Sequence, residues 1–83
     1  MAERKFIVYG RTTCPACVGA KKYLENAEEE FVFFDFTEDR QALRETCEYY
    51  NWNTVPIILE RDSATGETSF IGGFSDLKNK LEG

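Results

Sequence analysis

Histidine is missing from all 83 residues, and its absence removes two chemistries at once. A cysteine hydrolase needs an imidazole to activate its thiol, so no Cys–His dyad exists here. A closed zinc site takes four soft or imidazole ligands, and three cysteines without a single imidazole nearly exclude one within this chain. No metal is therefore expected. Three cysteines are also too few, and too unevenly placed, for the disulfide framework of a small secreted domain. Their scarcity favours a reducing compartment in which a pair of thiols can cycle, and the cytoplasm is the expected location.

Long apolar runs are lacking too. Nowhere do the roughly 18 consecutive apolar residues of a membrane span occur, so no membrane association is expected. The charged start Met1-Ala2-Glu3-Arg4-Lys5 runs directly into a strand pattern and is read as the beginning of a mature intracellular protein. Basic residues number 10 against 15 acidic ones, a net charge of −5, and they form no cluster interleaved with aromatics. An extended phosphate-binding surface is hard to build from them, which argues against nucleic acid as a partner. Internal repeats and linkers are absent, and a chain this short has room for one domain, 1–83, with one small core and one shallow site.

What is present is a globular composition, 42% apolar and 30% charged, with seven Phe, four Tyr and one Trp to fill the core. Lys5 to Tyr9 is a continuous apolar run of the kind buried on both faces of a sheet, and Gly10 is expected to break it. Cys17, Ala20, Leu24 and Ala27 then recur at helical spacing, with Lys21, Lys22, Glu25 and Glu28 on the other side. Phe31 to Phe36 reads as a second strand, near an edge because it contains Asp35. Thr37 is expected to cap a second helix with Glu38 and Asp39 in its first turn, Leu43, Cys47 and Tyr50 as its inward stripe, and an end near Asn51.

Two short strands, Ile57 to Glu60 and Thr68 to Ile71, are joined by a polar loop as a hairpin. Gly72-Gly73 closes it, and Ser75 is expected to cap a last helix carrying Leu77 and Leu81. The order strand, helix, strand, helix, strand, strand, helix predicts an α/β fold. Its crossover unit makes the first two strands parallel and its hairpin makes the last two antiparallel, so the sheet is four-stranded and mixed, flanked by three helices.

The chemistry is concentrated in Cys14-Pro15-Ala16-Cys17, which follows the first strand and opens the first helix. Pro15 suits the first helical position because its φ is already helical and its missing N–H would have been unpaired there. Cys14 then faces the free N–H groups and positive end of the helix, conditions that lower a thiol's pKa and create the nucleophilic thiolate. Cys17 lies about one turn further on, close enough to form a disulfide and more enclosed. The expected division is that Cys14 attacks and Cys17 resolves, by thiol–disulfide exchange that requires no side-chain base.

Three segments together carry a resemblance: Gly10-Arg11-Thr12-Thr13-Cys14-Pro15-Ala16-Cys17, Thr54-Val55-Pro56, and Gly72-Gly73-Phe74-Ser75-Asp76-Leu77. In order and spacing they resemble the signatures of dithiol glutaredoxins, across nearly the whole chain. The resemblance implies a thioredoxin-like (glutaredoxin) βαβαββα fold and a glutathione-dependent oxidoreductase. It implies a cis Val55–Pro56 bond beside the active sulfur, with Thr54, Val55 and Pro56 at the glutathione site and the Val55 backbone pairing with its cysteinyl part. Arg11 would meet the glycine carboxylate, Gly73 would support a close backbone approach, and Ser75 and Asp76 would hold the γ-glutamyl end. The implied partners are glutathione and disulfide-bearing or glutathionylated proteins, ribonucleotide reductase among the candidates, served by a monomer.

Departures from the pattern bear on affinity rather than on the reaction. Ala16 replaces the Tyr that many relatives carry between the cysteines, and Asn53 stands where a longer basic or amide side chain is common. A thioredoxin-type carrier is the competing redox reading, and Pro15 with the segment Gly72 to Asp76 favours glutathione. Cluster-holding relatives usually lack a proline at position 15, which disfavours an iron–sulfur module. Cys47, on the apolar stripe of the second helix, is read as a small hydrophobe. Trp52 is expected either to pack under the Thr54-Val55-Pro56 turn or to anchor a partner.

Overall fold

In the computed structural model, which describes residues 4–83, the elements follow one another as β1 (Arg4–Gly10), α1 (Pro15–Asn26), β2 (Phe31–Asp35), α2 (Arg40–Tyr50), β3 (Ile57–Asp62), β4 (Thr68–Gly72) and α3 (Phe74–Glu82). The sheet order is β2-β1-β3-β4, with β1 parallel to β2 and the pairs β1–β3 and β3–β4 antiparallel. The fold is the mixed, four-stranded, three-helix arrangement expected from the element order, and β2 is an edge strand.

Alternation along β1 sends successive side chains to opposite faces. Phe6 and Val8 point to one face and are fully buried with Ala20 and Leu24 of α1, Ile58 of β3 and Leu77 of α3. The opposite face differs from the expectation of a strand buried on both sides, because Ile7 and Tyr9 are only half-buried. There Tyr9 stacks on Phe34 at 5.2 Å and on Phe36 at 5.7 Å, and Tyr50 of α2 stacks on Phe70 at 5.8 Å. None of the α2 residues is fully buried, Leu43, Cys47 and Tyr50 being half-covered, so α2 shields the sheet without sealing it.

Both expected helix caps lie elsewhere. The N-cap of α2 is Asp39, whose carboxylate accepts from the Ala42 N–H at 3.0 Å, and not Thr37. Thr37 turns away from the helix: its hydroxyl accepts from the Thr12 N–H at 2.9 Å and is itself bound to Asp35. The helix therefore starts at Arg40, with Glu38 and Asp39 before it rather than in its first turn. In α3 the N-cap is Gly73, and Ser75 sits inside the first turn, while Asp76 reaches back to accept from the Gly73 N–H at 2.9 Å. Gly10 does not break β1 but remains in it, paired with Asp35.

The topology brings three connections to one end of the sheet. In the β1–β3 pairing Tyr9 lies opposite Ile57, and in the β3–β4 pairing Ile58 lies opposite Gly72. The loop after β1, the turn before β3 and the start of α3 thus meet, at the strand-end position where open α/β sheets bind ligands.

Because Asp39 and not Thr37 satisfies a free N–H of α2, Asp39→Ala is expected to lower stability by about 1 kcal/mol in urea unfolding, the usual cost of losing such a cap. Thr37→Ala should leave that helix contribution intact; equal losses in helical circular dichroism for the two variants would contradict the assignment.

Candidate active site

Cys14 occupies the N-cap of α1, in extended conformation with φ −95° and ψ 118°, and Pro15 follows in the first turn. A tight turn leads into it, with the Cys14 N–H bonded to the Arg11 carbonyl at 3.2 Å. The side chain of Cys14 makes no capping bond, so its sulfur is left half-buried over the free N–H groups of the first turn. Cys17, one turn on, is fully buried. Both thiols are free, and they lie close enough for the Cys17 thiol to donate to a Cys14 thiolate.

Electrostatics separates the two sulfurs. Burial acts to raise the Cys14 pKa, but the thiol of Cys17, the backbone N–H groups of Cys17 and Ala16, and the positive charge of Arg11 together outweigh it, and the net direction is down. Cys17 moves the other way, to about 12, chiefly through burial and then through its bond to Cys14 and the charge on it, despite the Arg11 N–H that approaches its sulfur at 3.5 Å. One sulfur is shifted toward the thiolate; the other is held as a thiol.

Gly10 makes this packing possible, a role its sequence position concealed. A Cβ on Gly10 would lie 2.6 Å from the Cys17 sulfur, so only a residue without a side chain lets α1 press its second cysteine against the end of β1. A second feature missed from sequence is the Thr37 hydroxyl, which ties the Thr12 backbone, and with it the loop bearing Arg11, to the end of β2. The local signal for it was Asp35-Phe36-Thr37, in which Asp35 accepts from both the N–H and the hydroxyl of Thr37.

The turn preceding β3 completes the approach to Cys14. The Val55–Pro56 bond is cis, Pro56 is buried, and the Val55 carbonyl lies 3.9 Å from the Cys14 sulfur. Thr54 is exposed beside it. Gly73 is on the far side of this turn: a Cβ there would be 3.9 Å from the Pro56 carbonyl and 4.0 Å from the Trp52 ring. Gly72, not Gly73, carries the positive φ, at +124°. Trp52 packs edge-on against Phe70 at 5.3 Å, and its indole nitrogen is buried without a partner among the described residues.

Arg11 is exposed and borders a cleft of about 420 Å³ that also takes in Arg40, Arg44, Cys47, Glu48 and Asn53. Ser75 and Asp76 are exposed at the start of α3. The predicted residues thus lie on three converging connections, with Cys14 and Val55 adjacent, Cys17 directly behind, Arg11 in the loop after β1 and Asp76 in the first turn of α3. Cys47 is half-buried, and burial followed by the charge of Glu48 raises its pKa, so it lacks the activation that Cys14 has. Among the described residues no three His, Cys, Asp or Glu side chains are grouped to hold a metal ion.

A dithiol with one activated and one buried sulfur, on this fold, defines a thiol–disulfide oxidoreductase. The glutaredoxin family profile matches residues 6–62, and the chain belongs to the glutaredoxin family. It is 30% identical to the dithiolic glutaredoxin 2-C-Grx1 of Trypanosoma brucei brucei, with 95% of this chain and 78% of that one covered and a TM-score of 0.71. It shares its fold with a buckwheat glutaredoxin solved as a glutathione complex, at 16% identity, coverage of 95% and 69%, and a TM-score of 0.75. It shares it equally with the NrdH-redoxin of Escherichia coli, a glutaredoxin-like protein of thioredoxin-like activity profile, at 22% identity, coverage of 93% and 93%, and a TM-score of 0.64. No curated protein matches the chain at a significant level.

Alkylation of the reduced protein by iodoacetamide, followed across pH by mass spectrometry, should modify Cys14 along a titration centred below the ordinary thiol value of 9.0, because the thiolate is the reacting form and its pKa is lowered. Cys17 should react far more slowly than Cys14, because it is fully buried and burial is the largest influence raising its pKa. Arg11→Gln should move the Cys14 midpoint upward only slightly, since the guanidinium is the smallest of the lowering influences.

Proposed function

We propose that this protein is a glutathione-dependent oxidoreductase that reduces glutathione mixed disulfides and protein disulfides. The observation that carries the proposal is the position of Cys14, 3.9 Å from the Val55 carbonyl and under the charge of Arg11, with Asp76 exposed at the start of α3. Those three features match the three polar parts of glutathione. Its glycine carboxylate meets Arg11, its cysteinyl backbone pairs with Val55, and its γ-glutamyl end lies at the start of α3. There the free N–H groups of the first turn, Ser75 included, receive the α-carboxylate. One Asp76 oxygen is bonded to the Gly73 N–H, and the other remains for the ammonium. Thr54, Pro56 and Gly73 shape the backbone wall between these ends.

In the reaction the Cys14 thiolate attacks the glutathionyl sulfur of a mixed disulfide, and the substrate sulfur leaves as a thiolate that takes a proton from water. A second glutathione thiolate then attacks the glutathionyl sulfur on Cys14, giving glutathione disulfide and restoring the Cys14 thiolate. With a protein disulfide, Cys17 performs the second attack. Two of the influences that raise its pKa are its bond to Cys14 and the charge there, and both vanish once Cys14 is in a neutral disulfide. Cys17 is thereby eased toward its reactive form, with burial left as the influence that still raises its pKa.

The resulting Cys14–Cys17 disulfide is reduced by two glutathione molecules. The substrates under this reading are disulfide-bearing and glutathionylated proteins, with ribonucleotide reductase a candidate, and the protein works as a monomer in the cytoplasm.

Cys14→Ser should abolish turnover of a glutathionylated peptide, while Cys17→Ser should keep most of it and lose reduction of protein disulfides. NADPH consumption should be supported by glutathione with glutathione reductase. Turnover with thioredoxin reductase instead would replace glutathione by a flavoprotein as the direct electron donor.

A further inference from the structure

The site described leaves part of its cationic flank unused. Arg11, Arg40 and Arg44 border one cleft, and none of the three guanidiniums forms an ion pair among the described residues. The cleft runs on along the exposed side of α2 into a second depression of about 570 Å³, again bordered by Arg40 and Arg44, with Gln41 between them. Unpaired cations gathered on one surface are notable in a chain of net charge −5. Glu48 borders both hollows and Glu45 only the second, where it already accepts from Gln41 at 3.3 Å. The cleft beside Arg11 thus sets three guanidiniums against one carboxylate, whereas the second hollow sets two against two.

Length decides what this groove fits. From Arg40 to Glu48 the helix rises about 12 Å, and adding the step to Arg11 gives a surface longer than one carboxylate can use. An extended chain covers that distance in about four residues. The glycine carboxylate assigned above occupies Arg11 alone and leaves Arg40 and Arg44 free.

We infer that the groove along α2 docks an acidic, extended segment next to the disulfide of a protein substrate. Such a segment lays its carboxylates on Arg40 and Arg44 and delivers the adjoining sulfur past Arg11 to Cys14. The inference deepens the reading of the site as a thiol–disulfide exchanger, and it does not depend on glutathione being the electron donor. Charge complementarity of this kind acts chiefly on the rate of encounter and on partner choice.

The test uses single turnover of the reduced protein without glutathione. Two synthetic peptides each carry one cysteine as a mixed disulfide with 2-mercaptoethanol, one flanked by glutamates and the other by glutamines, and the reaction is followed by rapid quenching and mass spectrometry. At low ionic strength the glutamate peptide should react about tenfold faster, an advantage that shrinks as salt screens the charges. R40Q/R44Q should remove the advantage while leaving the glutamine peptide unchanged, and R40E/R44E should transfer the preference to a lysine-flanked peptide. Equal rates for the two peptides with the unaltered protein, or an acidic preference that survives in R40Q/R44Q, would overturn the docking surface. A protein that prefers the glutamate peptide but is not recycled by glutathione would uphold the groove and overturn only the donor.

Discussion

The contact between the Cys17 sulfur and the bare backbone of Gly10 holds the reactive end of this molecule together. It seats the first turn of α1 directly on the end of β1, and everything chemical follows from that seating. With Cys17 filling the space against the strand, the preceding residues must turn outward, which places Cys14 at the helix cap with its sulfur over the unpaired N–H groups. The same contact buries Cys17 completely, so one packing decision gives the two thiols opposite acidities. A side chain at position 10 would act on both sulfurs together.

The rest of the fold supplies neighbours for that end. Antiparallel pairing of β1 with β3 sets Ile57 across from Tyr9, and so the Val55–Pro56 turn arrives beside Cys14, where the Val55 carbonyl meets the Cys14 sulfur. Pairing of β3 with β4 does the same for the start of α3 through Gly72. The core of Phe6, Val8, Ala20, Leu24, Ile58 and Leu77 fixes these registers from one face of the sheet only. The aromatic face opposite is shallower, with Phe34 and Phe70 both more than two-fifths exposed. Rigidity is thus greatest between α1, α3 and the strands, the elements that carry the two sulfurs and the Gly73 flank.

Legibility in the sequence followed the range of the interactions concerned. Element order, strand directions and the Cys14–Cys17 pair were readable because apolar spacing, the Pro15 position and short connections are local signals. Helix caps failed for a physical reason. Thr37 and Asp39 are both acceptable cap residues, and what chose Asp39 was the attraction of Thr37 to Thr12, 25 positions away. Ser75 was displaced from its expected cap in a similar way, since Asp76 reached back to Gly73 and began the helix earlier. Gly10 looked like punctuation because its function is an empty volume, visible only once Cys17 is placed against it. Arg40 and Arg44 carried no signal, as two arginines four apart on a helix are ordinary until the loop bearing Arg11 is brought alongside.

The indole of Trp52 lies edge-on to Phe70 and within 4.0 Å of where a Gly73 side chain would stand. It is the only tryptophan in the chain. Its ultraviolet emission is therefore a label-free gauge built into one wall of the reactive cleft, so that whatever settles against Gly73 announces itself as a change in colour or brightness of a single fluorophore.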